Sequence, residues 1–305
     1  MGGLGAGLVL AGCTPVAEAE AEPASRLAMQ APDPVLTKIN ESIGGRMGVA
    51  LVDDQLRLLA GHRMNERFAM CSTFKAPLAA AVLEMPSFFT EEREGIESIS
   101  DWLATSIPIS EDDLVSYAPA VERVLAEERR TMTIQHLLEA VVQISDNAAA
   151  NILLRHIGGP EAMTRFFRSH RDPISRLDRY EPELNQNIIG DPRDTTSPSA
   201  MAILMASLCF SEIPDEEGPM ILRRLMAGTK TGKSRIRAGL PEEWDIGNKT
   251  GTGYPEALAV NDMAYIITDK GRYFLTIYCD RPTADMDMVQ AAMANVAWHE
   301  MGKLY

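Results

Sequence analysis

The stretch RFAMCSTFKAPLAAAVL, residues 67–83, places a serine and a lysine at the head of an apolar helix. Ser72 and Lys75 stand three residues apart, so a helix that begins here brings the hydroxyl and the amine onto one face. A serine attacks only when a base removes its proton. A free lysine has a pKa of about 10.4 and becomes that base only where burial or nearby cations lower its pKa. Alone, the pair also fits a capping serine beside a surface lysine.

Strand patterns lie towards the two ends of the chain, and helical patterns fill the middle. Strand–turn–strand units are predicted with strands at 47–52, 56–60, 258–268 and 272–279. Helical spacing prevails from about 101 to 225, around a long aperiodic loop at 171–198, and a last helix covers 285–302. The order predicts an α/β (α+β) fold, with an antiparallel sheet flanked by helices from both termini and an inserted all-helical domain.

The same patterns suggest where the domains divide. Residues 30–71 and 225–305 are expected to form the mixed α/β domain, and residues 72–224 the mainly helical domain. A cleft between two such units is the usual place for a binding site. Residues 14–29 are rich in Ala, Glu and Pro with no apolar face, which is typical of a disordered tether.

Residues 1–13 are typical of an export signal. The first twelve are uncharged and mostly small or apolar, too short to span a bilayer but suited to a signal peptide. Leu10-Ala11-Gly12-Cys13 resembles the lipobox of bacterial lipoproteins, although no Lys or Arg precedes the apolar run. We therefore expect export to the bacterial periplasm, with lipid attachment at Cys13 left open.

The net charge, the cysteines and the histidines limit which partners, disulfides and metal sites are expected. The 305-residue chain carries a net charge of -14, and nucleic acid is excluded as the main partner because phosphate binding needs a basic surface. Cys13, Cys71, Cys209 and Cys279 form no recognisable disulfide framework, so no essential disulfide is expected. The histidines are scattered with no HxH or HExxH pattern, and neither a metal nor another cofactor is predicted.

Two further motifs carry polar groups at element boundaries. Ser145-Asp146-Asn147 lies where one helix ends and the next begins; all three residue types are common helix caps, but the hydroxyl could also relay a proton and the amide hold a carbonyl. Lys249-Thr250-Gly251, followed by Thr252, precedes the last strands. Its lysine and threonines could bind a carboxylate, and a strand glycine permits close backbone approach.

The set S-x-x-K, S-D-N and K-T-G, in this order, is the signature of class A β-lactamases and penicillin-binding proteins. From about residue 30 to the end the chain resembles class A serine β-lactamases, and residues 67–75 resemble the sequence around that family's reactive serine. The resemblance implies a β-lactamase/transpeptidase-like fold. It also implies hydrolysis of penicillins and cephalosporins through an acyl-serine intermediate, which confers antibiotic resistance.

The resemblance assigns roles to the motif residues. Ser72, Lys75, Ser145 and Glu181 are the expected catalytic residues. The expected substrate-binding residues are Tyr117, Asn147, Asn185, Arg235, Lys249, Thr250, Gly251 and Thr252. Whether Lys75 or Glu181 is the acylation base is left open. The backbone N–H groups of Ser72 and Thr252 are expected to form the oxyanion hole.

An Ω-loop separates the hydrolase from its transpeptidase relatives. Arg179-Tyr180-Glu181-Pro182-Glu183-Leu184-Asn185 matches the family signature, and residues 179–194 are expected to form the loop, closed by Arg179 and Asp194. Glu181 and Asn185 would hold and activate the water that hydrolyses the ester. The resemblance also suggests a cis bond between Glu181 and Pro182.

Cys71 precedes the nucleophile as in some members of the family, but its surroundings depart from the pattern of the carbapenem-hydrolysing ones. In carbapenem-hydrolysing members the cysteine before the nucleophile pairs with one just after the K-T-G-T segment, but here that place is Gly253. The bridge is therefore not expected, and the substrate spectrum stays open. Expected partners are β-lactam substrates and mechanism-based inhibitors, bound by a monomer.

The same residues leave two alternative functions open and exclude a third. A D,D-peptidase would form the same acyl-serine, and a non-catalytic lipid-anchored binding protein would need a decayed site. A P-loop would need four residues between its glycines, but GTKTGKS has only three. We therefore interpret Lys230-Thr231-Gly232 as a connector without a strand, whose contribution to the site comes from nearby Arg235.

Overall fold

The computed structural model describes residues 33–88, 96–211 and 217–305. The predicted signal peptide, lipobox and tether all lie outside these described residues. The α-helices of the described part are, in chain order, α1 (Pro34–Ile43), α2 (Lys75–Phe88), α3 (Ile99–Ala104), α4 (Pro119–Ala126), α5 (Ile134–Gln143), α6 (Asn147–Ile157), α7 (Gly159–Ser169), α8 (Pro198–Phe210), α9 (Gly218–Ala227) and α10 (Met286–Gly302).

Five strands, from segments near both ends of the described chain, build one main sheet, and the other strands form two short pairs. The strands of the described part are, in chain order, β1 (Arg46–Asp53), β2 (Leu58–His62), β3 (Phe68–Ala69), β4 (Ser106–Pro108), β5 (Thr131–Thr133), β6 (Thr195–Thr196), β7 (Asp245–Thr252), β8 (Ala259–Ile267) and β9 (Arg272–Asp280). The main sheet has the order β2-β1-β9-β8-β7, and every neighbouring pair is antiparallel. The short pairs are β3–β6 and β4–β5. The predicted fold is therefore confirmed, and β7, with the Lys-Thr-Gly motif, is an edge strand.

Alternating side chains on the strands feed two apolar cores. Val49 and Leu51 of β1 join the core formed with α1 and α10, whereas Ala50 and Val52 join the core formed with the helices on the opposite face. Successive residues of a strand point to opposite faces, so a sheet covered on both sides reads as an unbroken apolar run. This explains why residues 47–52 show little alternation of polar and apolar side chains.

The helix boundaries follow local signals. Asp33 accepts hydrogen bonds from the N–H groups of Val35 and Leu36 at the start of α1, as N-cap carboxylates do. Gly158 takes φ 98° and ends α6, because glycine adopts the left-handed conformation without a Cβ penalty. Pro198 opens α8 behind the Ser197 cap.

The structure corrects several predicted boundaries. The strand expected at 56–60 begins at Leu58, after a turn in which Leu56 has φ 61°. The helical region contains the short strand pair β4–β5, and the 171–198 loop holds a 3-10 turn at Glu183–Asn185 as well as strand β6. Elements of two or three residues are too short to show a period. Within the described ranges, no helix has the length and apolarity needed to cross a membrane.

Candidate active site

The turn that carries Ser72 is held in an uncommon backbone conformation. Residues Cys71–Phe74 form a 3-10 turn ahead of α2, and Cys71 has φ 46°, which is rare for a residue with a side chain. Two bonds from the Asn261 amide fix the preceding backbone: its Nδ2 donates to the Ala69 and Met70 carbonyls at 2.9 and 3.1 Å. Strained conformations persist where the surroundings restrain them, and they cluster at functional sites.

Three of the four predicted catalytic residues, Lys75, Ser145 and Glu181, meet at the Lys75 amine. The Lys75 ammonium is fully buried and donates to the Ser145 carbonyl at 2.9 Å and to Asn147 Oδ1 at 2.5 Å. Glu181 Oε1 lies 2.9 Å from the same Nζ, and both side chains are shielded from solvent. A buried ammonium is stable only when paired and hydrogen-bonded, and these three oxygens meet that need.

The Ser145-Asp146-Asn147 corner is fixed by a carboxylate that caps two helices. Asp146 Oδ1 accepts from Ala149 N at 2.9 Å in α6, and Oδ2 accepts from Ala120 N at 2.8 Å in α4. The suggested capping role of Asp146 is therefore confirmed. Ser145 takes φ 63°, so its hydroxyl and carbonyl both reach Lys75, at 3.4 and 2.9 Å.

Lys249 brings the edge strand into the same cluster. Its buried Nζ donates to Ser145 Oγ at 2.9 Å and to the Thr250 carbonyl at 3.0 Å. Burial, with the Lys75 charge nearby, lowers the Lys249 pKa well below its ordinary value. Ser145 therefore lies between two lysines, one on each side of the site.

Gly251 allows β7 to pack against the nucleophile turn. A Cβ built at this residue would lie 2.7 Å from the Met70 carbonyl oxygen and 3.2 Å from Thr73 Cγ2. The first distance is too short for any real side chain. A larger residue at 251 would therefore push the Lys-Thr-Gly strand away from the residues around Ser72.

Arg235 lies behind β7 and reaches the end of the motif. Its guanidinium is largely buried, donating to the Asn261 carbonyl at 2.6 Å and to Thr252 Oγ1 at 3.1 Å. Burial lowers the pKa of Arg235. Thr231, from the first Lys-Thr-Gly triplet, also takes part, because its hydroxyl lies 2.8 Å from that of Thr250; the sequence did not predict this contact.

Asp262 is a buried carboxylate in β8 that the sequence analysis did not identify. It accepts from Asn248 Nδ2 at 2.9 Å and from Ile236 N at 3.2 Å. Burial raises the pKa of Asp262 to about 6, while Arg235 and Lys249 act in the opposite direction. The signal for this residue was an Asn-Asp pair inside an apolar strand, where buried polar groups need partners.

The loop at 179–194 is closed by the predicted ion pair. Arg179 Nε lies 2.5 Å from Asp194 Oδ2, while Asp194 Oδ1 accepts the N–H groups of Asp178 and Arg179 at 2.7 and 3.0 Å. Burial raises the pKa of Asp194 against the lowering effect of these hydrogen bonds. The Glu181–Pro182 peptide bond is cis, as the resemblance suggested.

Glu181 is held through both its side chain and its backbone. Asn185 Nδ2 donates to Glu181 Oε2 at 2.5 Å. Asn151, on α6, donates from Nδ2 to the Glu181 carbonyl at 2.8 Å and accepts from Glu181 N at 2.9 Å. Asn151 was missed from the sequence, although a polar residue one turn after Asn147 on a buried helix face was a usable signal.

Tyr117 lies at an exposed position, and the described cysteines form no disulfide. Tyr117 is 59% exposed with φ 63°, and its carbonyl accepts from Asn147 N, a placement compatible with the rim of the site. Cys71, Cys209 and Cys279 are buried free thiols, so among the described residues no cysteine is in a disulfide.

A metal ion was not predicted. Among the described residues, only Asp33, His299 and Glu300 come close enough together to share one. Lys303 Nζ already donates to Asp33 at 2.6 Å and to Glu300 at 2.8 Å. The Lys303 ammonium therefore already pairs with both carboxylates of this group, which lies at the start of α1 and the end of α10.

Comparisons with known proteins agree on one family. The model of the beta-lactamase enzyme family matches residues 33–300. Beta-lactamase CTX-M-97 of Escherichia coli is 39% identical over 270 residues, covering 87% of this chain and 87% of its own. Beta-lactamase L2 of Stenotrophomonas maltophilia is 36% identical over 260 residues, covering 85% and 81%. An ancestral class A beta-lactamase structure superposes with a TM-score of 0.79 at 39% identity, covering 88% of this chain and 98% of that one.

The family model and the relatives define the chain as a hydrolase. The chain belongs to the beta-lactamase enzyme family, as a class A serine β-lactamase. The predicted family, fold and enzyme class are thereby confirmed, as is the general activity, β-lactam hydrolysis that confers resistance.

Proposed function

We propose that Ser72 is the nucleophile and that the Lys75–Glu181 pair receives its proton. Ser72 Oγ attacks the carbonyl carbon of the β-lactam ring, and the C–N bond of the ring then breaks. Support comes from the convergence of Ser145, Asn147 and Glu181 on the buried Lys75 Nζ. Because Lys75 and Glu181 are only 2.9 Å apart, a proton accepted by one is readily shared with the other.

We propose that Ser145 returns the proton to the departing ring nitrogen. Its hydroxyl is 2.9 Å from Lys249 Nζ and 3.4 Å from Lys75 Nζ, so two lysine amines are placed to exchange a proton with it. Backbone N–H groups of Ser72 and Thr252 form the oxyanion hole, and removing one such donor typically costs about 100–1000-fold in rate.

The substrate is oriented by groups on both sides of the site. Lys249, Thr250 and Arg235 supply the charge and hydrogen bonds for the carboxylate of a penicillin or cephalosporin. Asn147 binds the carbonyl of its acyl side chain, and Tyr117 packs at the rim. The burial of Lys249 and Arg235 supports this, because charges in a water-poor site interact more strongly than in solvent.

Deacylation completes the reaction. Glu181 removes a proton from a water held with Asn185, the water oxygen bonds to the acyl carbon, and the ester bond to Ser72 breaks as Oγ regains a proton. The 2.5 Å contact between Asn185 and Glu181 supports a shared water site. A D,D-peptidase needs no comparably fast step.

Three proteins test these roles: wild type, Ser72→Ala and Glu181→Ala, each mixed with a chromogenic cephalosporin and followed by absorbance and intact mass spectrometry. We expect turnover by wild type, none by Ser72→Ala, and an acyl adduct trapped on Glu181→Ala. A wild type that stays acylated would instead favour the peptidase alternative. A wild type with neither adduct nor turnover would favour the binding protein.

The same proposal covers organisation and location. Residues 30–71 with 225–305 form one unit and residues 72–224 another, and the monomeric enzyme is exported to the periplasm, with Cys13 as the lipid attachment point. Light scattering on the purified chain tests the monomer. Fractionation of cells expressing wild type and Cys13→Ser tests the anchor: release from the membrane by Cys13→Ser supports it, and unchanged partitioning contradicts it.

A further inference from the structure

A tyrosine outside the predicted site ties the end of β7 to the Ω-loop. Tyr254 follows Thr252 and Gly253 directly, and its hydroxyl donates to the Pro182 carbonyl at 2.8 Å. The two residues are 72 positions apart in the chain. The contact therefore joins the strand that carries Lys-Thr-Gly to the loop that carries Glu181.

The carbonyl that Tyr254 contacts belongs to the residue after Glu181. Pro182 O also accepts from Asn185 Nδ2 at 3.0 Å and from Asn185 N at 3.1 Å. The same Nδ2 lies 2.5 Å from Glu181 Oε2. Tyr254 thus acts on the oxygen that orients the Asn185 amide, and through that amide on the Glu181 carboxylate.

Other restraints hold different parts of this loop. Asn151 pairs with the Glu181 backbone from α6, and Asn187 donates to Asp280 Oδ1 at 2.6 Å near the end of β9. Tyr254 adds a restraint from the side of β7. Its pKa is raised, by burial and then by Glu181 and Glu183, so the hydroxyl remains a donor at neutral pH.

We propose that Tyr254 is a positioning residue for deacylation: its hydrogen bond to Pro182 sets the Asn185 amide and Glu181 carboxylate in the geometry that activates water. This inference rests on the proposed roles of Glu181 and Asn185. Tyr254 transfers no proton and forms no bond to substrate, so its effect falls on the step that uses Glu181 and water. Formation of the acyl-enzyme uses the other oxygen of Glu181, because Oε1 faces Lys75 Nζ whereas Asn185 contacts Oε2; we therefore expect acylation to keep its rate.

Tyr254→Phe removes the hydroxyl and keeps the ring. One hydrogen bond contributes about 0.5–1.5 kcal/mol, so we expect deacylation to slow about 2- to 10-fold. Acylation and deacylation rates are measured separately with a chromogenic cephalosporin, by stopped-flow absorbance and by quenched intact mass spectrometry. Where deacylation limits turnover, kcat and KM fall together and kcat/KM is unchanged. Glu256→Gln, an exposed change two residues away, is the matched control and should leave both rates as in wild type.

Glu181→Ala is run beside these variants to separate the two hypotheses. If it traps the acyl-enzyme while Tyr254→Phe deacylates at the wild-type rate, the positioning role is wrong and the proposed function stands. If Tyr254→Phe slows acylation as much as deacylation, the residue supports the structure generally and the proposal also fails. If Glu181→Ala itself turns over like wild type, the proposed function fails.

Discussion

Lys249 donates a 2.9 Å hydrogen bond from its Nζ to the Oγ of Ser145, across 104 positions of the chain. The bond connects the edge strand of the sheet to the corner between α5 and α6. Because Ser145 Oγ is also 3.4 Å from Lys75 Nζ, the two lysines share one hydroxyl. This placement supports the proposed contribution of Lys249 to the proton path as well as to carboxylate binding.

Lys249→Ala should lower kcat/KM by about 100-fold or more, because it removes a buried donor that stabilises developing charge. Lys230→Ala, in the other Lys-Thr-Gly triplet, should change kcat/KM less than about twofold, since that side chain is exposed. Steady-state kinetics with a chromogenic cephalosporin compare the two variants. Equal losses would contradict the different roles assigned to the triplets.

Arg235→Ala should reduce kcat/KM about tenfold for substrates with a free carboxylate, mainly through KM, as expected for a lost charge-assisted hydrogen bond. The control uses the same variant on a cephalosporin whose carboxyl group is esterified. If Arg235 binds the carboxylate, wild type and variant should differ little on the ester. A loss of equal size on both compounds would assign Arg235 to holding Thr252 and the Asn261 carbonyl.

Arg179→Ala should destabilise the protein by about 3–5 kcal/mol, because it leaves the buried Asp194 carboxylate without its charge partner. Arg193→Ala is the matched control, since its pair with Asp191 is nearly half exposed on the arginine side, and such surface pairs contribute little to stability. Urea unfolding measures both. Similar losses in the two variants would show that burial does not set the importance of the loop-closing pair.

Asp262→Asn should change how stability depends on pH. The Asp262 carboxyl has its pKa raised from 3.8 to about 6 by burial, so the folded protein binds a proton that the unfolded chain releases. Wild type should therefore lose stability relative to Asp262→Asn as pH rises between these two values, by about 3 kcal/mol in all. Thermal unfolding at several pH values measures the difference; a difference that does not vary with pH would contradict the buried, raised pKa.

The local sequence determined much of the fold and of the site. The spacing of Ser72 and Lys75 puts them on one helical turn, in which Lys75 N donates to the Ser72 carbonyl. Asp146 caps a helix because its side chain is adjacent to free N–H groups, and the two late strands follow from apolar runs around a turn. Each of these depends on residues a few positions apart. Short-range geometry is nearly the same in every protein, so such features can be predicted from a single sequence.

Only the tertiary structure decided which polar groups meet over long separations. Asn151 reaches Glu181 across 30 positions, and Tyr254 reaches Pro182 across 72; no local pattern specifies either pair. For the two Lys-Thr-Gly triplets, the sequence predicted the strand context of one and the connector role of the other, but not the 2.8 Å contact between the Thr231 and Thr250 hydroxyls. Lys249 is buried at the site and Lys230 is exposed, because one triplet lies on an edge strand packed against the nucleophile turn and the other in a connecting loop.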